Sequence, residues 1–180
     1  MKKDFQNFQN AFYEKVNNTA IFSQVYTYLQ ITPVPGILGE STFLDVTFSY
    51  REVTGRENTE SILIEATDDA NVAFERFRDE LKKAFPGFVR FNSLEEAIET
   101  AIEVDDEDLE FRYMDLDRDI PDIVVYTNHR DLCMPCDHQN VYILLDDEDQ
   151  MRLTFNPAET TIEEMMTEVK HEFYSEWDEE

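Results

Sequence analysis

The segment from His129 to His138 holds the residue types best suited to chemistry, because it contains both cysteines of the chain and two of its three histidines. Two thiolates and two imidazoles are a usual tetrahedral zinc set, and the candidates here are His129, Cys133, Cys136 and His138. Zinc sites usually draw their second ligand pair from a distant segment, whereas all four residues would come from one predicted loop between two strands. We therefore predict two unliganded cysteines and no cofactor, and zinc is the alternative.

A redox role for the two cysteines is less favoured than either reading. A reactive Cys-x-x-Cys pair is usually placed at a helix N-terminus, where the thiolate is stabilised. The segment around Cys133 and Cys136 is predicted to be a loop between strands.

A second segment copies part of a calcium-binding loop. Asp115, Asp117 and Asp119 occupy the first three ligand positions of an EF-hand. The pattern then fails, because Ile120 stands where the loop needs glycine and Tyr126 where it needs a bidentate glutamate. A dedicated calcium site is not predicted.

Signals for catalysis are weak in this chain. It has no glycine-rich phosphate loop, no nucleophile elbow and no HExxH motif, and it contains only 4 glycines. We predict that the protein is not an enzyme. A small metal-dependent enzyme that uses Asp115, Asp117 or the cysteine segment is kept as a distant alternative.

The net charge is −26, and its distribution is uneven. Residues 1–90 carry 13 acidic and 10 basic side chains, whereas residues 91–180 carry 28 acidic and 5 basic ones. Such charge disfavours nucleic acids and anionic membranes as direct partners and favours cationic surfaces. The predicted partner is a basic protein, and a homodimer is left open.

Carboxylates recur every four residues in two predicted helices, which places them about 6 Å apart along each helix. Like charges at this spacing cost a helix a few tenths of a kcal/mol per pair. Together with the acidic runs they form the predicted partner-binding surface, which comprises Glu95, Glu99, Glu103, Asp105, Asp106, Glu107, Asp108, Asp115, Asp117, Asp119, Asp146, Asp147, Glu148, Asp149, Glu164, Glu168, Glu172 and Glu176.

Rows of carboxylates at roughly the interval of backbone phosphates could occupy a nucleic-acid-binding groove, where lysine and arginine neutralise closely spaced anions. The leading hypothesis is therefore a nucleic-acid-mimic inhibitor. The alternatives are an acidic adaptor or immunity-type protein that binds one basic partner without mimicry, and an acidic face that serves solubility. Adaptation to high salt is disfavoured, since it would spread the charge evenly.

In charge and length the chain resembles the DNA-mimic inhibitors that phages and mobile elements use against restriction and CRISPR enzymes. This resemblance implies an anti-restriction or anti-CRISPR role and a nuclease or CRISPR effector as the partner. It carries no individual residue over to this sequence.

Hydrophobic periodicity and capping residues predict the elements that position these side chains. Residues 19–29 are ambiguous, and Pro33, Pro35 and two glycines predict a loop. Helices are predicted at 4–17, from a cap at Thr67 to Pro86, from Ser93 to Ile102, and from Asn156-Pro157 onward; strands are predicted at 44–50, 61–65, 109–113, 123–126, 141–145 and 151–155.

This order of elements predicts the α+β class, with helices packed on a mainly antiparallel sheet in a single domain over residues 1–180. No apolar stretch could serve as a signal peptide or cross a membrane, and two cysteines are too few for a disulfide scaffold. We therefore expect a cytoplasmic protein.

Overall fold

The computed structural model describes residues 2–23, 26–36, 42–52, 54–118, 120–131, 134–147 and 151–174; within these ranges the side chains of residues 2, 3, 130, 131 and 134–138 are not described. The chain divides into two compact units, Met1–Val89 and Arg90–Glu180. Each unit has its own sheet and its own hydrophobic core. The boundary falls one residue from the predicted change in charge, so the acidic half of the sequence is a structural unit.

The first unit contains a three-stranded antiparallel sheet in the order β1-β2-β3. Its elements are α1 (Lys2–Thr19), β1 (Tyr26–Val34), β2 (Phe43–Arg51), β3 (Glu57–Glu65), α2 (Ala70–Ala84) and a 3-10 turn (Pro86–Phe88). Strand β1 covers part of the ambiguous segment and includes Pro33, which was predicted to lie in a loop. It is an edge strand, where the missing proline N–H leaves no hydrogen bond of the sheet unmade.

Helix α2 follows the predicted hydrophobic period, but its N-cap lies two residues after the predicted one. The carboxylate of Asp69 accepts a hydrogen bond from the Asn71 amide at 2.8 Å, so Asp69 and not Thr67 is the N-cap. Thr67 instead accepts a hydrogen bond from the Asp69 amide at 3.2 Å. The hydrophobic period also predicts that Val72 is buried, and this prediction is wrong, because Val72 is 39% exposed.

The core of the first unit is built from aromatic rings. Phe77 of α2 is fully buried, and its ring lies 5.7 Å from Phe12, 6.1 Å from Phe22 and 6.3 Å from Phe48, measured between centroids. These three partners come from α1, from the segment after it and from β2. One phenylalanine therefore joins three parts of the unit.

The second unit contains a five-stranded sheet in the order β4-β5-β6-β7-β8. All neighbours are antiparallel except β4 and β5. Its elements are β4 (Arg90–Phe91), α3 (Leu94–Val104), β5 (Phe111–Tyr113), β6 (Ile123–Asp131), β7 (Met134–Leu145), β8 (Arg152–Phe155) and α4 (Ile162–Tyr174).

Helices α3 and α4 cover the same face of this sheet. Ile98 of α3 and Met165 and Val169 of α4 belong to one buried cluster with inward side chains of the sheet, such as Val125 and Ile143. The two helices also pack against each other. The opposite face of the sheet carries the alternate residues of the same strands.

Two local predictions in this unit need correction. Most of the segment 129–138 is not a loop, because β6 extends to Asp131, β7 begins at Met134, and Arg130 pairs with Pro135. Helix α4 begins at Ile162, not at Asn156-Pro157, where the Asn156 carbonyl closes a turn on the Thr160 amide at 2.9 Å. Thr161 and Glu164 form a capping box that starts α4.

A buried hydroxyl in this core allows a stability test. Thr127 is fully buried, and its Oγ1 has no hydrogen-bond partner within the described part of the chain. Thr127→Val should raise the free energy of unfolding by about 1 kcal/mol, because an unsatisfied polar atom is removed at nearly constant shape. Urea unfolding measures this free energy. Thr154→Val, at an exposed position of β8, is the control and should change the free energy of unfolding little. A destabilised Thr127→Val variant would show that the hydroxyl is satisfied, for example by a buried water.

The α+β class with mainly antiparallel strands is confirmed, although the strands form two sheets and not one. The single domain over residues 1–180 stays a prediction. None of the described helices is long and apolar enough to cross a membrane.

Candidate acidic interaction surface

The α3 row, which we define as Glu95, Glu99 and Glu103, is the most regular part of the acidic surface. Ser93 positions it by capping α3, since its hydroxyl accepts a hydrogen bond from the Glu96 amide at 3.3 Å. All three glutamates are exposed, and no hydrogen bond or ion pair engages their side chains in the described structure. Their spacing of four residues puts neighbouring carboxylates about 6 Å apart.

The second row, on α4, is partly engaged in local contacts. The Glu164 carboxylate accepts hydrogen bonds from the amide and hydroxyl of Thr161 at 2.8 and 3.1 Å, and the backbone bond lowers its pKa below the usual value. Glu172 lies 2.9 Å from Nδ1 of His171. Glu168 is exposed and makes no described contact, while Glu176 lies outside the described residues.

Both rows belong to the same layer of the molecule. Helices α3 and α4 pack against each other and bury their apolar sides against one face of the sheet. Packed helices have axes about 8–10 Å apart. The exposed glutamates of both helices therefore lie on the side of this unit that faces away from the sheet, which we call the helix face.

The acidic loop after α3 is held by its own carboxylates. Asp105 ends the helix in a left-handed conformation, with φ of 48°. Its carboxylate lies 2.9 Å from Nε2 of His129 and accepts a hydrogen bond from the side-chain amide of Gln139 at 2.8 Å. Glu107 accepts a hydrogen bond from the backbone amide of His129 at 2.9 Å. These two carboxylates fasten the loop to β6 and β7.

Asp106 and Asp108, the other two acidic residues of this loop, differ in whether their side chains make a contact. Asp106 accepts a hydrogen bond from the Asp108 amide at 3.0 Å, which closes a tight turn. The Asp108 side chain is exposed and has no described partner. Of the predicted run 105–108, only Asp108 is thus free of intramolecular side-chain contacts within the described structure.

The segment that resembles a calcium loop is a structural turn. The Asp115 side chain is only 10% exposed, lies 3.5 Å from the Arg118 guanidinium and accepts a hydrogen bond from the Asp117 amide at 3.0 Å. Arg118 lies over the Tyr174 ring at 4.6 Å, and burial raises the pKa of Tyr174 above its usual range, with Tyr113 and Asp115 raising it further. Asp117 is exposed, and Asp119 lies outside the described residues.

The Asp146 carboxylate, directly after β7, lies away from the helix face. Asp146 forms an ion pair with Arg112 of β5, and its backbone amide donates to the Asp122 carbonyl at 2.8 Å. Asp147 is exposed and has interactions of its own. Glu148 and Asp149 lie outside the described residues.

Sequence reasoning missed a row of arginines on the opposite face of the sheet. Strand pairing aligns five residues across the five strands: Arg90, Arg112, Val124, Leu144 and Arg152. This arginine row contains three of the six basic residues of the second unit. The only local signal was the alternation of Arg112 with buried Phe111 and half-buried Tyr113, which places it on the outer face.

The zinc candidates cannot be assembled from the described side chains. His129 lies against Asp105, Cys133 lies outside the described residues, and the side chains of Cys136 and His138 are likewise not described. Within the described ranges, no group of three histidine, cysteine or acidic side chains could hold a metal ion.

The metal content of the protein is a separate test of the cysteine segment. We expect protein purified without added zinc to contain clearly less than one equivalent of metal, because the two cysteines are predicted to be unliganded. Elemental analysis by mass spectrometry measures this. One equivalent of zinc that is lost in Cys133→Ser would overturn the prediction.

No protein family model matches this chain, and no curated protein or solved structure matches it at a significant level. Its function is therefore inferred from the charge and geometry of the molecule itself.

Proposed function

We propose that this protein is a stoichiometric inhibitor that occupies the nucleic-acid-binding site of a basic protein, such as a nuclease or a CRISPR effector. The α3 row carries the proposal, because three exposed glutamates in regular spacing make no contact with the rest of the described chain. They stand on the helix face together with Glu168. The arginine row lies on the other side of the same sheet.

The physical basis is charge complementarity. A nucleic-acid-binding groove presents lysine and arginine side chains at the spacing of phosphates, and each bound phosphate releases counterions. Carboxylates about 6 Å apart along a rigid helix present anions to the same groove at a comparable interval. Lysine and arginine side chains of a partner are attracted to these carboxylates, so the affinity should fall as salt screens this attraction.

Repulsion within the α3 row also destabilises helix α3 in the free protein. Each like-charged pair four residues apart costs a few tenths of a kcal/mol. Helix α3 contains no lysine or arginine that would reduce this repulsion. A cationic partner that binds the row removes the repulsion, so part of the binding free energy comes from relief of this cost.

On this proposal the protein acts in the cytoplasm, requires no cofactor and catalyses no reaction. The proposed partner is a protein, and neither nucleic acid nor membrane binds directly, because both are anionic.

An acidic adaptor or immunity-type protein is the second candidate, and one observation favours it. Glu164 and Glu172 are engaged by Thr161 and His171, so the row on α4 is interrupted. The exposed row is then a compact patch of carboxylates and not a long track. A patch fits a single basic protein surface without requiring it to be a nucleic-acid groove.

A competition experiment separates the two candidates. The protein is immobilised, basic proteins from cells that encode it are bound, and the retained partner is identified and purified. Excess duplex DNA or RNA is then added to the purified complex. Displacement by nucleic acid supports the inhibitor, whereas a complex that persists supports the adaptor. If the protein and the nucleic acid bind the partner simultaneously, the mimic proposal is wrong.

A further inference from the structure

The two edges of the three-stranded sheet differ in how their outward backbone groups are satisfied. At the β1 edge, the Ile31 amide donates to the Tyr13 hydroxyl at 3.2 Å. The Ile31 carbonyl accepts a hydrogen bond from the Gln9 side chain at 3.0 Å. Pro33 of the same strand has no amide hydrogen to offer. Helix α1 and a proline therefore block this edge against a further strand.

The pairing of β2 with β3 shows which backbone groups of β3 point toward the other edge of the sheet. The Ala66 amide donates to the Thr42 carbonyl, and the Glu52 amide donates to the Arg56 carbonyl, both at 2.9 Å. In an antiparallel pair every second pair of opposite residues is bonded in this way. In this register the even-numbered residues of β3 therefore bond to β2, and the backbone groups of the odd-numbered residues point away from it.

Thr59, Ser61 and Leu63 are the odd-numbered residues in the middle of β3. Within the described chain, no hydrogen bond uses their amides or carbonyls. The carbonyl of Glu65, at the end of the strand, accepts a hydrogen bond from the Arg76 guanidinium at 2.9 Å, so α2 covers that end of the edge. Three amides and three carbonyls in the middle of β3 are thus available to an added strand.

The side chains beside these groups restrict what the added strand can be. Strand β3 contains three glutamates and no lysine or arginine. Glu65 pairs with Arg76 at 3.2 Å, whereas Glu60, in the middle of the strand, makes no ion pair within the described chain. Leu63 is 59% exposed and lies diagonal to the exposed Phe43 on the outer face. A strand with a cation opposite Glu60 and an apolar side chain opposite Leu63 complements this edge.

We propose that the β3 edge binds an extended segment of another protein as a fourth strand, and that this segment carries a lysine or arginine opposite Glu60. In such β-augmentation the main-chain hydrogen bonds give affinity, and the alternate side chains give specificity. The edge belongs to the first unit, so the proposal does not depend on the function proposed above.

A second copy of this chain is a poorer occupant of the edge. Two-fold pairing centred on Ser61 would place Glu57 opposite Glu65, and pairing centred on Glu60 would place that residue opposite its own copy. Like charges directly opposite destabilise a sheet. No register supplies Glu60 with a cation, since β3 contains none. Each copy also carries a net charge of −26, which opposes self-association.

The test is a titration of the full-length protein with the peptide acetyl-Thr-Val-Ile-Thr-Lys-Val-Thr-amide. Its lysine lies opposite Glu60 when the peptide pairs antiparallel to β3 with its first valine opposite Leu63. Hydrogen exchange measured by NMR follows single amides. At saturation the Thr59, Ser61 and Leu63 amides should exchange about tenfold more slowly or less, because they then donate to the peptide. The Ile31 amide at the other edge should not change.

Two comparisons separate backbone pairing from charge. Ser61→Pro removes an outward amide that has no internal acceptor, and proline is accepted in edge strands, so the fold is kept while the peptide should bind about tenfold more weakly or less. Ser61→Ala is the matched control, which keeps the amide and should bind like wild type. A peptide with glutamate in place of lysine should bind wild type more weakly, and Glu60→Gln should remove this difference.

The exchange measurement uses wild type alone, so it tests the site even if Ser61→Pro folds poorly. The proposal is wrong if the peptide gives no saturable protection at Thr59, Ser61 and Leu63, or if Ser61→Pro and Ser61→Ala bind it equally. It is also wrong if light scattering shows a dimer for wild type and a monomer for Ser61→Pro, since a second copy would then occupy the edge.

Discussion

Changing Glu95, Glu99 and Glu103 together to glutamine should weaken binding of the proposed partner by about tenfold or more at low salt, chiefly through a slower association rate. The substitution removes three charges from the helix face and preserves side-chain shape. None of the three carboxylates has an intramolecular partner in the described structure, so the fold loses no contact. Helix α3 should be unchanged or slightly stabilised, since two like-charged pairs disappear.

The measurement is the affinity of the triple variant and of wild type at low and high salt. If the α3 row meets cationic side chains, the variant has a smaller salt dependence as well as a lower affinity. The two proteins should then converge as the salt concentration rises. Circular dichroism and urea unfolding confirm that the variant is folded.

A matched control removes the same number of charges from the first unit. Glu14, Asp68 and Asp79 are exposed and make no described ion pair. Changing them to Gln, Asn and Asn lowers the net negative charge equally, and binding should change by less than about twofold if contact is local. Equal loss in both variants would show that only the overall charge matters. Undiminished affinity of the α3 variant would show that this row makes no contact.

The α4 row is a less direct test of the same surface. Glu164 takes part in the capping box with Thr161, so a change there alters the start of the helix as well as the charge. Glu168 is the residue of that row whose change affects charge alone in the described structure. Adding Glu168→Gln to the triple variant should weaken binding further if both helices face the partner.

Phe77→Ala should lower the free energy of unfolding by about 3–5 kcal/mol, the largest effect expected of any single substitution here. The ring is fully buried and contacts the rings of Phe12, Phe22 and Phe48, so its loss leaves a cavity bordered by parts of the unit that cannot all close in. The free energy of unfolding of a whole domain is about 5–15 kcal/mol, so Phe77→Ala would remove a large part of it.

Urea unfolding followed by far-ultraviolet circular dichroism measures this effect. Phe43→Ala is the matched control, because Phe43 belongs to the same sheet but is 47% exposed. It should cost less than about 1 kcal/mol, as expected for an exposed position. Similar losses in the two variants would contradict the assignment of the core to the Phe77 side of the sheet.

Local patterns in the sequence were sufficient for most of the helices and for the charge of the two units. Helices α2 and α3 have the predicted apolar periods, because a repeat of 3.6 residues places Phe74, Phe77 and Leu81 on one side whatever the surroundings. The cap at Ser93 was also predictable, since a hydroxyl three residues before a glutamate satisfies free amides locally. The uneven charge follows from composition alone.

Pairing between distant segments decided what local patterns could not. The local pattern predicts Pro33 in a loop until β1 is placed at a sheet edge. It also predicts a loop at 129–138, where the pairing of Arg130 with Pro135 and of Asp131 with Met134 extends β6 and β7. The division into two sheets has the same origin, because nothing in one strand specifies which others it joins.

The sequence likewise predicted one part of the candidate site, and the tertiary structure decided the rest. Regular spacing alone predicted the α3 row, because residues four apart share a helix face. Only the fold showed that Asp105 and Glu107 are used to fasten a loop to His129, which is more than twenty residues away in the chain. Only strand register aligned Arg112 with Arg152, since hydrogen bonds across three strand pairs bring these residues into one row. Side-chain type and spacing determine what a residue could bind, whereas long-range packing determines which partner it finds within the molecule.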